Sequence, residues 1–214
     1  ESARECLVID TGLDSRDMLA FLAQHDLTPK AVILTHGHVD HIAGLAALRS
    51  KFPGLRVYIH KLDGPMLTDS QANLSEMTML PFETAPADVL LEDGGTVEEA
   101  GIVLKVLHTP GHASNHLCFL LEEDGLLFSG DHINNGSTVV IDPPDGNMRD
   151  YLIALERLLK LPFDYILPAH GWVLGFAHES IRQLIAHRLK REAKVLSAVR
   201  ALKRGTMQQL LPRV

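Results

Sequence analysis

THGHVDH, residues 35–41, follows the apolar run AVIL and precedes a segment with helical spacing, so it falls in a loop at the carboxyl end of a strand. That is where a sheet presents functional groups. His36 and His38 stand two apart, and their rings can converge on one ion; Asp40 and His41 follow at once and can turn to a second. A lone pair of histidines is weak evidence for a metal, but metal-capable side chains recur where other apolar runs end. His112 lies in HTPGHASNH, Asp131 in LLFSGDH and His170 in ILPAHG. Five histidines and two carboxylates placed this way point to a site for two metal ions.

Outward from the motif, short apolar runs alternate with helical patterns. ECLVID reads as a strand and Ser15 to Asp26 as a helix with Met18, Leu19, Phe21 and Leu22 inward. KAVILTH is a second strand, His41 to Phe52 a helix carrying Ile42, Leu45 and Leu48, and LRVYIH a third strand. Between Lys61 and Asp88 periodicity is lost around Pro65, Pro81 and Pro86, as in a binding loop that shapes a pocket. Strands then follow at close spacing in GIVLKVLHT, HLCFLLEE, LLFSGDH and TVVID. Helices return at Met148 to Leu159 and from about His178, with the short strand DYILPAH between them. The order suits two facing sheets covered by helices on both outer faces.

The final helix places Ile181, Leu184, Ile185, Leu189, Leu196, Val199 and Leu202 on one stripe. Gly205 stops it, and Thr206 can cap a new turn in MQQLL. From Arg182 to Arg213 nine Lys/Arg stand against one acid, Glu192, so this tail carries +8 and the rest of the chain −15. The tail is the solvated face of long helices or a surface for an anionic partner such as single-stranded RNA. Cys6 and Cys118 each sit inside an apolar run and read as small core residues. Nothing approaches the ~20 apolar residues of a membrane span, and no signal-peptide pattern is present. A soluble, cytoplasmic protein without membrane contact is expected. The opening at Glu1, almost on a strand, suggests missing leading strands, and the close at Val214 a C-terminal module cut short.

The donor types define the chemistry. Imidazole and carboxylate suit zinc and also admit iron, manganese or cobalt, and no thiolate is in reach. Zinc, which has no redox chemistry to control, is the first expectation. Two such ions about 3.5–4 Å apart can share a hydroxide whose parent water has its pKa lowered toward ~7, while one ion polarises the substrate. Hydrolysis is the natural outcome.

These motifs together, HGHVDH, PGHASNH, SGDH and PAHG, resemble the metallo-beta-lactamase superfamily, over nearly all of Cys6 to Trp172. The resemblance implies an α+β fold, a four-layer αββα sandwich with a dinuclear site along one edge of the sheets. It implies that His36, His38 and His112 hold the first metal, that Asp40, His41 and His170 hold the second, and that Asp131 bridges them. Asp40 is also the expected catalytic carboxylate. An Asp at the bridging place, where the true beta-lactamases carry Cys or another residue, speaks against antibiotic hydrolysis. RDYLIALERLLKL, PAHG and IRQLIAHRLKREAKVL further resemble the group of the mitochondrial beta-lactamase-like endoribonuclease and related thioesterases, which append a winged-helix-like module. The expected organisation is a catalytic domain over 1–177 and a helical module over 178–214. Hydroxyacylglutathione hydrolases are similar through the metal motifs, but their glycine-cysteine-glycine-arginine stretch is absent from SGDHINNGSTVV, which speaks against glutathione recognition.

His116 and His132 adjoin these segments and are candidates to orient ligands or protonate a leaving group, with strand-end packing as the alternative. His25, His60, His108, His178 and His187 are expected to be structural or solvent-facing. The leading expectation is hydrolysis of a small ester or thioester, because an acidic body repels polyanions. A single-strand RNA endonuclease using the basic tail comes second, held back by an aromatic content of 5%. A non-catalytic metal-binding protein and a two-iron oxidoreductase, which would need a flavin partner domain, are the remaining alternatives.

Overall fold

The computed structural model describes residues 4–78, 82 and 84–214. Its strands are β1 (Glu5–Ile9), β2 (Thr28–Ile33), β3 (Arg56–His60), β4 (Val89–Leu91), β5 (Thr96–Glu99), β6 (Ile102–His108), β7 (Leu117–Leu121), β8 (Leu126–Gly130) and β9 (Tyr165–Pro168). The helices are α1 (Arg16–Gln24), α2 (Val39–Ile42), α3 (Leu45–Lys51), α4 (Met148–Leu158), α5 (Ala177–Leu202) and α6 (Met207–Leu210). One sheet has the order β1-β2-β3-β4 with every pairing parallel. The other runs β5-β6-β7-β8-β9, antiparallel except for the parallel pair β8-β9.

The alternation of side chains along a strand sorts these residues into layers. Val32, Val57 and Ile59 face outward onto Leu22, Ile42, Leu45 and Leu48 of α1, α2 and α3. Ala31, Ile33 and Tyr58 face the second sheet, meeting Leu104, Val106, Leu117 and Phe119. Leu107, Cys118 and Leu120 point the other way, against Tyr151, Leu155, Leu158 and Ile181 of α4 and α5. Helix, sheet, sheet and helix are therefore stacked in the αββα order expected. Both cysteines are free, and burial pushes the Cys118 thiol up to about 12, which leaves it an inert packing residue.

Several local expectations need correction. The helix foreseen over His41 to Phe52 is two pieces, broken at Gly44, because the chain there lies against the β1–α1 loop. A Cβ on Gly44 would stand 2.7 Å from the Thr11 carbonyl oxygen, so Gly44→Ala is expected to destabilise the fold by about 1–3 kcal/mol, read from the urea midpoint. Phe21 is not inward: it is 55% exposed and packs on the His25 ring. TVVID forms no strand; the Val139 carbonyl accepts from Arg188 and that of Val140 from His112, so side chains replace a ladder. The strands β4 and β5 were not foreseen.

The final helix begins at Ala177, and its stripe is only partly used. Ile181 is buried with Leu184 and Ile185 beside it, whereas Leu189, Leu196 and Val199 are 45–48% exposed. Thr206 forms the expected cap, a reciprocal box with Gln209. Within Lys61 to Asp88 the chain makes 3-10 turns at Gly64–Leu67 and Ser75–Thr78. Met79, Leu80, Pro81 and Glu83 of that loop lie outside the described residues. Among the described residues, no helix is long and apolar enough to cross a membrane.

Candidate metal centre

Register explains how distant segments meet. In the parallel pair β1-β2, Ile9 sits opposite Ile33, so the residues just past both strands emerge together. Asp10 accepts the Thr35 backbone N–H and hydroxyl, each at 2.8 Å. In the parallel pair β8-β9, Gly130 sits opposite Pro168, which brings Asp131 beside His170. Gly130 has a positive φ of 49°, and a Cβ there would lie 2.7 Å from the Thr35 Cβ. Glycine thus lets the SGD turn close onto the histidine motif. The β6-β7 hairpin presents its loop from the same end, with His112 near the tip.

The seven foreseen donors gather in two groups, His36, His38 and His112 in one and Asp40, His41, Asp131 and His170 in the other. In the first, the His38 Nδ1 lies 2.9 Å from His36 Nε2 and 3.1 Å from His112 Nε2. In the second, His41 Nε2 is 3.6 Å from Asp40 Oδ2 and 3.7 Å from Asp131 Oδ2. His170 Nε2 is 3.5 Å from Asp40 Oδ2 and 3.3 Å from Asp131 Oδ1. Asp131 Oδ2 also lies 3.6 Å from His112 Nε2, so this carboxylate touches both groups.

The outer ring atoms fix which nitrogens face inward. His112 Nδ1 donates to the Val140 carbonyl at 2.7 Å, which leaves Nε2 as a bare lone pair. The Thr35 hydroxyl spends its proton on Asp10, so it accepts from His36 Nδ1 at 3.0 Å and frees His36 Nε2. His41 Nδ1 binds Asp10 Oδ2 at 2.8 Å. Two imidazole lone pairs, on His36 Nε2 and His112 Nε2, then point at His38 Nδ1, and a proton there can serve only one of them. Buried His41 Nε2 and Asp131 Oδ1 have no hydrogen-bond partner at all. Unpartnered buried polar atoms beside two carboxylates and a cluster of imidazoles fit a bound cation.

Electrostatics agree. Burial and the neighbouring imidazoles hold His36 well below its usual range, and burial with His112 brings His38 down to about 4. Both are neutral at neutral pH, the form that ligates a metal. His41 differs: burial opposes its charge, but Asp10 and then Asp131 outweigh it and raise the pKa to about 10, so the acidic side of the site holds a proton on His41 that a bound cation would displace. Burial likewise works against the Asp131 carboxylate, and His41 beside it prevails and lowers the pKa. In the first group His36 is buried and His38 and His112 are half-buried, while His170 is 48% exposed and gives the site its solvent side.

The two flanking histidines divide. His116 is buried; its Nε2 accepts the Asp131 backbone N–H at 3.1 Å and its Nδ1 meets the Thr109 hydroxyl at 3.0 Å, so it sets the Asp131 backbone. His132 is buried with both ring nitrogens unpartnered, and burial takes it down to about 3. His60 is buried and stacked on His108, ring centroids 5.1 Å apart.

Sequence reasoning missed two supporting carboxylates. Asp10 ties His41 to Thr35; Asp63 accepts Gly37 N–H at 3.1 Å and the Asn115 amide at 3.0 Å. The signal for Asp10 was its position at the end of ECLVID, parallel to the strand that feeds the motif. Asp10→Asn is expected to weaken ion binding by about 10–100-fold, as loss of an outer-shell partner does. Competition with a chelating dye measures it, and an unchanged affinity removes Asp10 from the account.

Comparison with known proteins matches this geometry to a family. Residues 1–170 match the model of the metallo-beta-lactamase superfamily. A probable metallo-hydrolase of Bacillus subtilis, YqgX, is 32% identical over 78% of this chain and 80% of its own length. An atrochrysone carboxyl ACP thioesterase of Aspergillus chevalieri is 32% identical over 93% of the chain and 58% of its own length. The chain spans between 49% and 58% of that and the other fungal relatives it matches. Among solved structures, the BLEG-1 B3 metallo-beta-lactamase is 30% identical with a TM-score of 0.76, over 84% of this chain and 87% of its own. TTHA1623 in a di-iron-bound form is 32% identical with a TM-score of 0.69, over 80% and 85%. By sequence and by fold alike, the chain belongs to the metallo-beta-lactamase superfamily.

Proposed function

We propose that this chain is a dinuclear metal-dependent hydrolase of a small ester or thioester. The observation that carries the proposal is the pair of donor groups joined at Asp131, with His41 Nε2 and Asp131 Oδ1 orphaned between them. In this reading His36, His38 and His112 hold one ion, Asp40, His41 and His170 the other, and Asp131 bridges. Bound there, the ions supply Lewis acidity and lower the pKa of a water toward ~7. The chain's own residues do the rest. Asp10 and Val140 orient the rings of His41 and His112, and His116 holds the Asp131 backbone. Asp40, half-exposed beside His170 on the solvent side, is proposed as the catalytic carboxylate.

Relatives named as thioesterases and a metallo-hydrolase support the reaction class. Zinc is the first choice of metal on its donor chemistry; the di-iron neighbour makes iron the alternative to assay. The exposed basic residues Arg182, Lys190, Arg191, Lys194, Arg200 and Lys203 leave RNA cleavage as the reading to test against. Turnover on thioesters, lactones, a β-lactam and single-stranded RNA decides between them. Replacing Lys190, Arg191, Lys194 and Lys203 with Gln is expected to leave small-thioester turnover within about a factor of three, because surface changes cost little stability. A parent protein that cleaves RNA in a salt-sensitive way, and a variant that keeps its metals but loses that cleavage, would replace the thioester reading.

A further inference from the structure

Helix α5 lies beyond residues 1–170, the stretch that matches the superfamily, yet one of its side chains reaches toward the metal centre. Arg188 Nη2 donates to the Val139 carbonyl at 2.6 Å. The next carbonyl, that of Val140, accepts from His112 Nδ1 at 2.7 Å. One short segment is thus held by α5 on one side and by a proposed ligand on the other. Residues 138–142 belong to no strand, so side-chain bonds take the place of a ladder in setting where the Val140 carbonyl points. A second support meets the same ligand. Gly111, next to His112, packs on Tyr151 of α4, and a Cβ there would stand 2.5 Å from the Tyr151 Cβ. The Tyr151 ring is buried, and the Arg188 guanidinium lies 5.3 Å from its centroid. Both supports of His112 therefore touch Arg188.

The Nε of Arg188 is buried without a hydrogen-bond partner, and among the described residues no carboxylate pairs with the guanidinium. Holding a cation so is unfavourable. An arginine that merely solvates α5 would stay in water, as the exposed Lys190 and Arg191 do. We propose that Arg188 is a positioning residue of the metal centre: through the Val139–Val140 segment it fixes the direction in which His112 presents Nε2. This rests on the dinuclear reading, and it makes α5 a working part of the centre and not an appendage to it.

The test titrates the metal-free full chain with zinc against a chelating dye. Arg188→Met keeps the apolar stem but removes the donors. It is expected to weaken zinc binding about tenfold, the low end of the ~10–100-fold loss for an outer partner, because it acts one link farther out. A merely structural role is separated by the same change in His112→Ala, which has no ring to orient. There Arg188→Met is expected to cost less than about twofold. Equal losses in both backgrounds mean that α5 has loosened generally, and they overturn the proposal. An affinity unchanged by Arg188→Met in the otherwise unaltered protein overturns it as well. A parent protein that takes up neither zinc nor iron overturns the dinuclear reading and this proposal together, whereas the other failures leave that reading standing. Should Arg188→Met not fold, amide exchange of the unaltered chain decides, because coupling is reciprocal: zinc is expected to slow the α5 amides around Arg188 by about fivefold or more. Absence of that slowing overturns the proposal.

Discussion

Asp131→Ala is expected to strip the protein of most of its bound metal and to lower turnover by more than about a hundredfold. That figure exceeds what loss of an outer-shell partner costs, about 10–100-fold, because this carboxylate is proposed as a direct ligand to both ions. Its Oδ2 lies 3.6 Å from His112 and 3.7 Å from His41, and its Oδ1 3.3 Å from His170. Three histidines from three segments thus depend on one side chain. Removing it leaves the surrounding imidazoles with less negative charge to offset cations. Metal content and turnover of the folded variant are measured together. Retention of both ions would show that Asp131 is a neighbour of the site and not its bridge.

Asp40→Asn is expected to separate the two groups. Asp40 approaches His41 and His170 but none of the first three histidines within ion-pair distance, so a first ion should still bind. The second group loses one of its two carboxylates and half of its negative charge, while the side chain keeps its size. Turnover is expected to fall by orders of magnitude with about one ion remaining, since cooperation of two ions is what the donor set supports. Near-normal turnover with one ion would mean that the first group suffices alone.

All seven proposed donors were legible because each follows an apolar run, and loops at strand ends are short enough for spacing to carry the geometry. Asp10 and Asp63 were not. Each is a single carboxylate whose role depends on which strand lies beside it, and sequence periodicity does not report register. The layers followed from the alternation of residues such as Ala31, Val32 and Ile33. Strand β5 was hidden for a different reason: Glu99 is buried in it, paired with Arg56 and Tyr58, so a charged residue stands where an apolar one would mark a strand. TVVID misled in the opposite sense, β-branched but bonded to side chains. The stripe on α5 was read correctly as amphipathic, yet a pattern names a face and not its partner. From Leu189 onward the face is half-exposed.

The central claim is that two ions are held by His36, His38, Asp40, His41, His112, Asp131 and His170. Elemental analysis of the parent protein, purified without chelator, loaded with zinc or iron and desalted, tests it most directly. Two ions per chain are predicted. One ion, or none after either loading, contradicts the dinuclear site and the function built on it.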